Sequence, residues 1–280
     1  MSFKSALITP SELQESLGQH VEDIILLDCT IDKVGQSIKD AKLEVLPNSH
    51  FFDIEGKLSD ANSKLPHTLV SAEVFEQEIQ SLGINQDSKV VLYDRWGVYS
   101  SPRAWWMFKV MGFEQVFILN GGVPAWKKNK FPLVDHYTAH TKTGNFKAQF
   151  QENRYADKDY ILTHYRNPEV NIFDARSKGR FSGLVPEPRK GLNGGHIPHS
   201  NNLPFEELLN GIIYKPVDEL KQQFDHFKST GKEYVFSCGS GITASILAFA
   251  CHLTGHEHIR VYDGSWSEWG REELNLPIEK

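Results

Sequence analysis

The chain has 280 residues, 40% of them hydrophobic and 24% charged, with a formal net charge of -6. That length holds two ordinary domains with cores of their own, and the composition excludes extended disorder. The acidic balance excludes a general nucleic-acid or anionic-membrane surface, while small anionic substrates can still find local basic pockets.

In chain order, Met1 to Pro10 carries no long apolar stretch, and no later run reaches transmembrane length. Pro10-Ser11-Glu12-Leu13 predicts a helix start, and Ile24-Ile25-Leu26-Leu27-Asp28 a buried strand followed by Cys29. Leu46-Pro47 reads as a rigid strand-to-turn step. The amphipathic stretch 71–82 predicts a second helix, opened by Ser71-Ala72-Glu73-Val74 with a capping hydroxyl and an early acid. Val91-Leu92-Tyr93-Asp94 predicts a strand running into a glycine-containing turn, and Ile118-Leu119-Asn120-Gly121-Gly122 another. The polar stretch 136–151 has little apolar periodicity and predicts the linker, giving domains over 1–140 and 154–280 joined by 141–153.

The second half repeats these landmarks in the same order. Val170-Asn171-Ile172-Phe173-Asp174 matches 24–28, and Ile197-Pro198 matches Leu46-Pro47. Val235-Phe236-Ser237-Cys238-Gly239-Ser240-Gly241-Ile242-Thr243-Ala244 lies over 91–100, and Val261-Tyr262-Asp263-Gly264-Ser265 through Trp269 lies over 118–122 through Trp126. A drift of only a few residues between four ordered matches implies tandem duplication. Short apolar runs alternating with amphipathic stretches such as 217–227 imply βαβ units, so each half is an α/β domain with a parallel sheet flanked by helices.

Of the three cysteines, Cys29 and Cys251 sit in apolar runs and read as packing residues. No CxxC occurs, and three scattered cysteines make no disulfide framework, which implies a reducing, cytoplasmic compartment. Cys238 differs from both. It ends a β-branched and aromatic run and precedes a turn through Gly239 and Gly241 into an apolar helix. Backbone N–H groups and a helix N-terminus favour the thiolate there, and a thiolate is a nucleophile. Ligands in open parallel sheets gather at the strands' carboxyl ends, where Cys238 falls. Its counterpart in the first half is Asp94.

These residues resemble the rhodanese superfamily, and within it the two-domain 3-mercaptopyruvate sulfurtransferases. The carriers are Gly195-His196-Ile197-Pro198, the loop from Cys238 to Ala244, Tyr262-Asp263-Gly264-Ser265-Trp266-Ser267-Glu268-Trp269, and Ser101-Pro102-Arg103-Ala104-Trp105-Trp106. The resemblance spans nearly the whole chain. It implies that Cys238 takes sulfur as a persulfide held by the loop Gly239, Ser240, Gly241, Ile242 and Thr243, with Arg180 and Arg189 binding the substrate. It further implies a proton relay of Ser240 and His67, with Glu55 as its carboxylate and Asp53 or Asp60 as substitutes. It implies no cofactor, and a small sulfur donor with a thiol, thioredoxin-like or cyanide acceptor. The first-half stretch Glu44-Val45-Leu46-Pro47 departs from Gly195-His196-Ile197-Pro198, which questions the turn after it.

Gly239-Ser240-Gly241 carries no cation, as in the mercaptopyruvate type, whereas thiosulfate-type enzymes place basic residues there. A carboxylate held by arginines farther from the transferred sulfur fits that neutrality. Thiosulfate sulfurtransfer and a non-catalytic binding module are the alternatives. A cysteine phosphatase needs an arginine in the loop, and none occurs through Ser245. The histidines 196 and 199, or 252, 256 and 258, join no convincing metal-ligand set, and Gly191, Gly194 and Gly195 lack the order of a dinucleotide fingerprint.

Overall fold

The computed structural model describes residues 3–19, 24–139, 142–227 and 231–280. The chain divides into two units. The first comprises Met1–Asp60, Leu69–Phe150 and Gly211–Tyr214, and the second Ala61–Thr68, Gln151–Asn210 and Lys215–Lys280.

In the first unit, strands β1 (Leu7–Ile8), β2 (Ile24–Asp28), β3 (Ser49–Phe51), β4 (Lys89–Tyr93) and β5 (Val116–Leu119) alternate with helices α1 (Pro10–Gly18), α2 (Ala72–Ser81), α3 (Ser101–Val110) and α4 (Gly122–Lys128). All pairings in its sheet are parallel, in the order β1-β5-β4-β2-β3. Both faces are covered, so β4 and β5 read as unbroken apolar runs rather than alternating ones. Thr9 caps α1: its hydroxyl accepts from the Glu12 N–H, and the Glu12 carboxylate takes the Thr9 N–H at 2.8 Å. The Thr9 hydroxyl, donating to Glu12 Oε2 at 2.7 Å, and then the Thr9 N–H hold the Glu12 carboxyl below its ordinary range. Ser71 caps α2 through the Val74 N–H.

The second unit holds β6 (Tyr155–Ala156), β7 (Val170–Asp174), β8 (Asn201–Asn202), β9 (Leu209–Asn210), β11 (Glu233–Ser237) and β12 (Ile259–Tyr262). The short β10 (Ile213–Tyr214) falls in the segment that groups with the first unit. Its helices are α5 (Lys158–His164), α6 (Lys178–Phe181), α7 (Val217–Asp225), α8 (Ile242–Leu253) and α9 (Ser265–Trp269). Its sheet, β6-β12-β11-β7-β8, is again parallel throughout and follows the same path as the first. The repetition read from the landmarks is therefore a repetition of topology.

The cores repeat as well. Leu26, Leu46, Val91 and Trp126 pack together in the first unit, and their counterparts Ile172, Ile197, Val235 and Trp269 in the second. Each indole N–H finds a proline carbonyl at 2.8 Å, Pro132 for Trp126 and Pro277 for Trp269. The altered stretch 44–47 keeps its turn, since Asn48 and His199 both take left-handed backbone, at φ 61° and 63°. Gly195 is needed for a local reason: a side chain there would meet the Glu279 carbonyl at 2.3 Å. In the first unit Val45 pairs with Val134 where His196 pairs with Glu279, and Glu44 is free to bind Lys127.

The stretch expected as a linker divides differently. Gly144, Phe146 and Gln149 donate backbone N–H groups to the carbonyls of Gln80, Ile84 and Met111, and Phe146 is fully buried edge-on to Phe75 and Phe113. The change of unit comes at Phe150/Gln151, inside 141–153, while residues 61–68 and 211–214 cross over from their own halves. No helix among the described residues is long and apolar enough to cross a membrane.

Candidate active site

Cys238 is the first residue beyond β11, the central strand of the second sheet, and its backbone is fixed from α9. Its N–H donates to Ser265 Oγ at 3.2 Å, and its carbonyl accepts the Trp266 N–H at 2.9 Å. The Gly239 carbonyl accepts the Ser267 N–H at 2.9 Å and also the Ser267 hydroxyl. Ser240 turns its N–H toward Cys238 Sγ at 3.4 Å, and Gly241, at φ 81°, caps α8. This left-handed cap explains the second glycine of the collar. Arg180 explains the first, since its Nη2 lies 3.1 Å from where a Gly239 side chain would begin. The thiol is 2% exposed and Ser240 8%.

Cys29 and Cys251 are fully buried. Burial pushes Cys29 well above the usual thiol range, with Asp28 and Asp94 adding to the effect, and burial alone does so for Cys251. A buried, protonated thiol is a poor nucleophile.

Arg180 lies on the single-turn α6. Its Nη2 meets Glu187 Oε2 at 2.5 Å and its Nε meets Oε1 at 3.2 Å. Glu187 also accepts from Arg176 Nη1 at 2.8 Å. Arg176 is fully buried, forks onto Asp174 and the Gly195 carbonyl, and lies 4.1 Å from the centroid of the Trp266 ring. Burial works against its charge, but Asp174 and Glu187 more than offset this and raise its affinity for the proton. The result is a chain Asp174–Arg176–Glu187–Arg180, with Arg180 at the wetter end, its side chain 22% exposed. Arg189 approaches by another route: its Nη1 lies 3.4 Å from Ser267 Oγ, the hydroxyl that holds the Gly239 carbonyl. Two guanidinium groups thus reach one loop from different segments.

Sequence reasoning named Arg180 and Arg189 but missed Arg176, Glu187, Ser265 and Ser267 as parts of this assembly. An arginine two residues beyond the strand-end Asp174 is the sequence signal for Arg176. Ser265 and Ser267 were visible only as letters of a motif.

His67 lies in the segment 61–68 of the second unit, in left-handed backbone at φ 58°. Glu55 lies in the first unit, where burial, with Asp32 and Asp53 adding to it, raises its carboxyl above the ordinary range against the pull of Lys39. Asp53 is occupied locally, accepting the N–H groups of Gly56 and Lys57 at 2.9 and 3.3 Å. No group of three or more His, Cys, Asp or Glu among the described residues could hold a metal ion.

Asp94 occupies the matching place, directly beyond β4, with its carbonyl accepting the Val123 N–H as that of Cys238 accepts Trp266. Its loop is filled from within. The carboxylate accepts the N–H groups of Trp96, Tyr99, Ser100 and Ser101 at 2.8–3.1 Å and the Ser101 hydroxyl at 2.8 Å. Residue-for-residue matching fails beyond this point, because α3 starts only at Ser101, after a longer loop. Ile212 then closes over Gly97, whose missing side chain leaves the space.

The profile of the Rhodanese-like domain matches this chain twice, over residues 9–129 and 157–272. The chain belongs to the rhodanese family. Each of its two rhodanese-like units corresponds to one match. The 3-mercaptopyruvate sulfurtransferase of Escherichia coli K12 is 37% identical over 270 residues, covering 94% of this chain and 95% of that protein. Thiosulfate/3-mercaptopyruvate sulfurtransferase 1, mitochondrial, of Arabidopsis thaliana is 35% identical over 282 residues, covering 92% and 74%. Among solved structures, the 3-mercaptopyruvate sulfotransferase SseA of Escherichia coli superposes with a TM-score of 0.81 at 32% identity, covering 95% of this chain and all of that one.

Proposed function

We propose that this rhodanese-family chain is a 3-mercaptopyruvate sulfurtransferase that carries sulfur as a persulfide on Cys238. The observation that carries the reading is the pairing of an uncharged loop with two guanidinium groups: Arg180 lies against Gly239, and Arg189 reaches Gly239 through Ser267. Full-length similarity to enzymes of that name supports the donor.

In the first half-reaction the α-keto carboxylate lies on Arg180 and Arg189, whose forks suit two coplanar oxygens. Glu187 occupies the Nε–Nη2 edge of Arg180, leaving the Nη1–Nη2 edge as the fork for substrate. The Cys238 thiolate attacks the substrate sulfur; an S–S bond forms, the C–S bond breaks, and its electron pair leaves on the pyruvate enolate. The proton from the substrate thiol passes to that enolate, giving pyruvate and a charged persulfide. Ser240 and His67 form the relay for this proton. The N–H groups of Gly239, Ser240, Gly241, Ile242 and Thr243 hold the negative sulfur. In the second half a thiol, a thioredoxin-like protein or cyanide takes the outer sulfur and frees the thiolate. Three cysteines without a disulfide support a reducing, cytoplasmic setting.

The test is mass spectrometry after incubation with 3-mercaptopyruvate. One sulfur atom should appear on the Cys238 peptide and be absent in Cys238→Ser; an unmodified peptide from active-buffer conditions overturns the assignment. Arg180→Ala should lower kcat/KM for 3-mercaptopyruvate by about tenfold to a hundredfold, as for a lost charge-assisted fork, and do less to thiosulfate. Equal losses with both donors would instead mark a structural effect.

A further inference from the structure

Ser267 also forms part of the wall of a cavity of about 360 Å³, lined besides by Lys64, Arg189, Lys190, Arg271 and Glu273. Four cations and one carboxylate face this space in a chain of net charge -6. Arg271 meets Glu273 at 3.4 Å and donates to the carbonyls of Ser267 and Lys64, whereas Lys64, Arg189 and Lys190 make no ion pair among the described residues. Gathered like charges repel, so such a cluster is a cost to the fold unless an anion shares it. One α-keto carboxylate does not need this many partners, and Arg180 and Arg189 already supply its forks.

We propose that this cavity receives the anionic part of the sulfur acceptor, a small thiol bearing two or more negative charges. The inference rests on the Cys238 persulfide reading and adds the acceptor's chemistry to it. The volume suits a small molecule. The position suits an acceptor because Ser267 belongs both to the cavity wall and, through the Gly239 carbonyl, to the loop that holds the persulfide. The acceptor thiolate attacks the outer sulfur and forms a new S–S bond. The bond to Cys238 Sγ breaks, its electron pair returns to Cys238 as thiolate, and the acceptor leaves as a persulfide with no other oxidant or reductant.

The experiment loads the enzyme with 3-mercaptopyruvate, verifies the added sulfur by mass, and then times its discharge with mercaptosuccinate, a dianionic thiol, and with neutral 2-mercaptoethanol. The double variant Lys64→Gln/Lys190→Gln should load normally and discharge to mercaptosuccinate about three- to tenfold more slowly, with the neutral thiol within about twofold. Glu273→Gln should shift the mercaptosuccinate rate the other way. Added salt should erase the advantage of the dianion in the parent protein. If loading fails in the parent, the persulfide reading falls. If loading succeeds and both thiols respond alike, or neither responds, the acceptor site alone is overturned.

Discussion

Asp94 and Cys238 solve the same local problem with different chemistry. Each follows the central strand of a parallel sheet, where loop N–H groups converge and call for an anion. In the second unit Ser240 offers its N–H to a sulfur. In the first, a fully buried carboxylate takes four N–H groups and a hydroxyl, so the chain supplies its own anion. Asp94→Asn should therefore destabilise the protein by about 2–4 kcal/mol, because an amide that aims its oxygen at the four donors on Oδ2 must turn its NH₂ toward the Trp96 N–H and brings no charge to the donors. Urea unfolding measures this, and a change below about 0.5 kcal/mol would show that the donors find other partners. Only position signals this role in the sequence: Asp94 stands where the second half has Cys238, but hydrogen bonds from residues several places downstream have no periodic signature.

At the scale of elements, α9 governs the active loop although it contributes no reacting atom. Its first turn presents Ser265, Trp266 and Ser267 to Cys238 and Gly239, fixing both the nucleophile's backbone and the approach of Arg189. Ser267→Ala should raise KM for 3-mercaptopyruvate by about three- to tenfold and lower kcat less, since the hydroxyl positions the loop and the arginine. Steady-state kinetics with persulfide loading followed by mass checks this; unchanged KM would detach Arg189 from the loop. Legibility at this scale was uneven. β2, β4 and α2 followed from apolar runs and a cap, and the start of α1 from Pro10-Ser11-Glu12-Leu13, with Thr9 as its cap. The change of unit at Phe150/Gln151 falls inside the expected 141–153, while the packing of Phe146 among Phe75 and Phe113 did not follow, because a lone buried aromatic leaves no repeat in a polar stretch. The loop after Asp94 did not follow either, since its length is set by how the chain wraps its own carboxylate.

For the whole molecule, duplication was the most legible property, because it is written several times over in ordered landmarks and returns as two sheets with one strand order. The two tryptophans, Trp126 and Trp269, test what each copy now does. Both are nearly or fully buried, and both spend their indole N–H on a proline carbonyl, so replacing either with alanine should cost about 3–5 kcal/mol of stability. Their effects on catalysis should separate. Trp269 closes α9, the helix that holds Cys238 and Gly239, so Trp269→Ala should reduce persulfide formation well below the temperature at which the protein melts. Trp126 lies in α4, whose Val123 N–H holds the backbone carbonyl of Asp94 rather than of a nucleophile, so Trp126→Ala should leave loading of the folded fraction within about twofold. Denaturation curves read the first effect and sulfur loading per folded molecule the second. Equal losses of loading would mean that loading depends on the packing of both copies alike, whereas the expected split would make the first copy a scaffold with its anion site already filled.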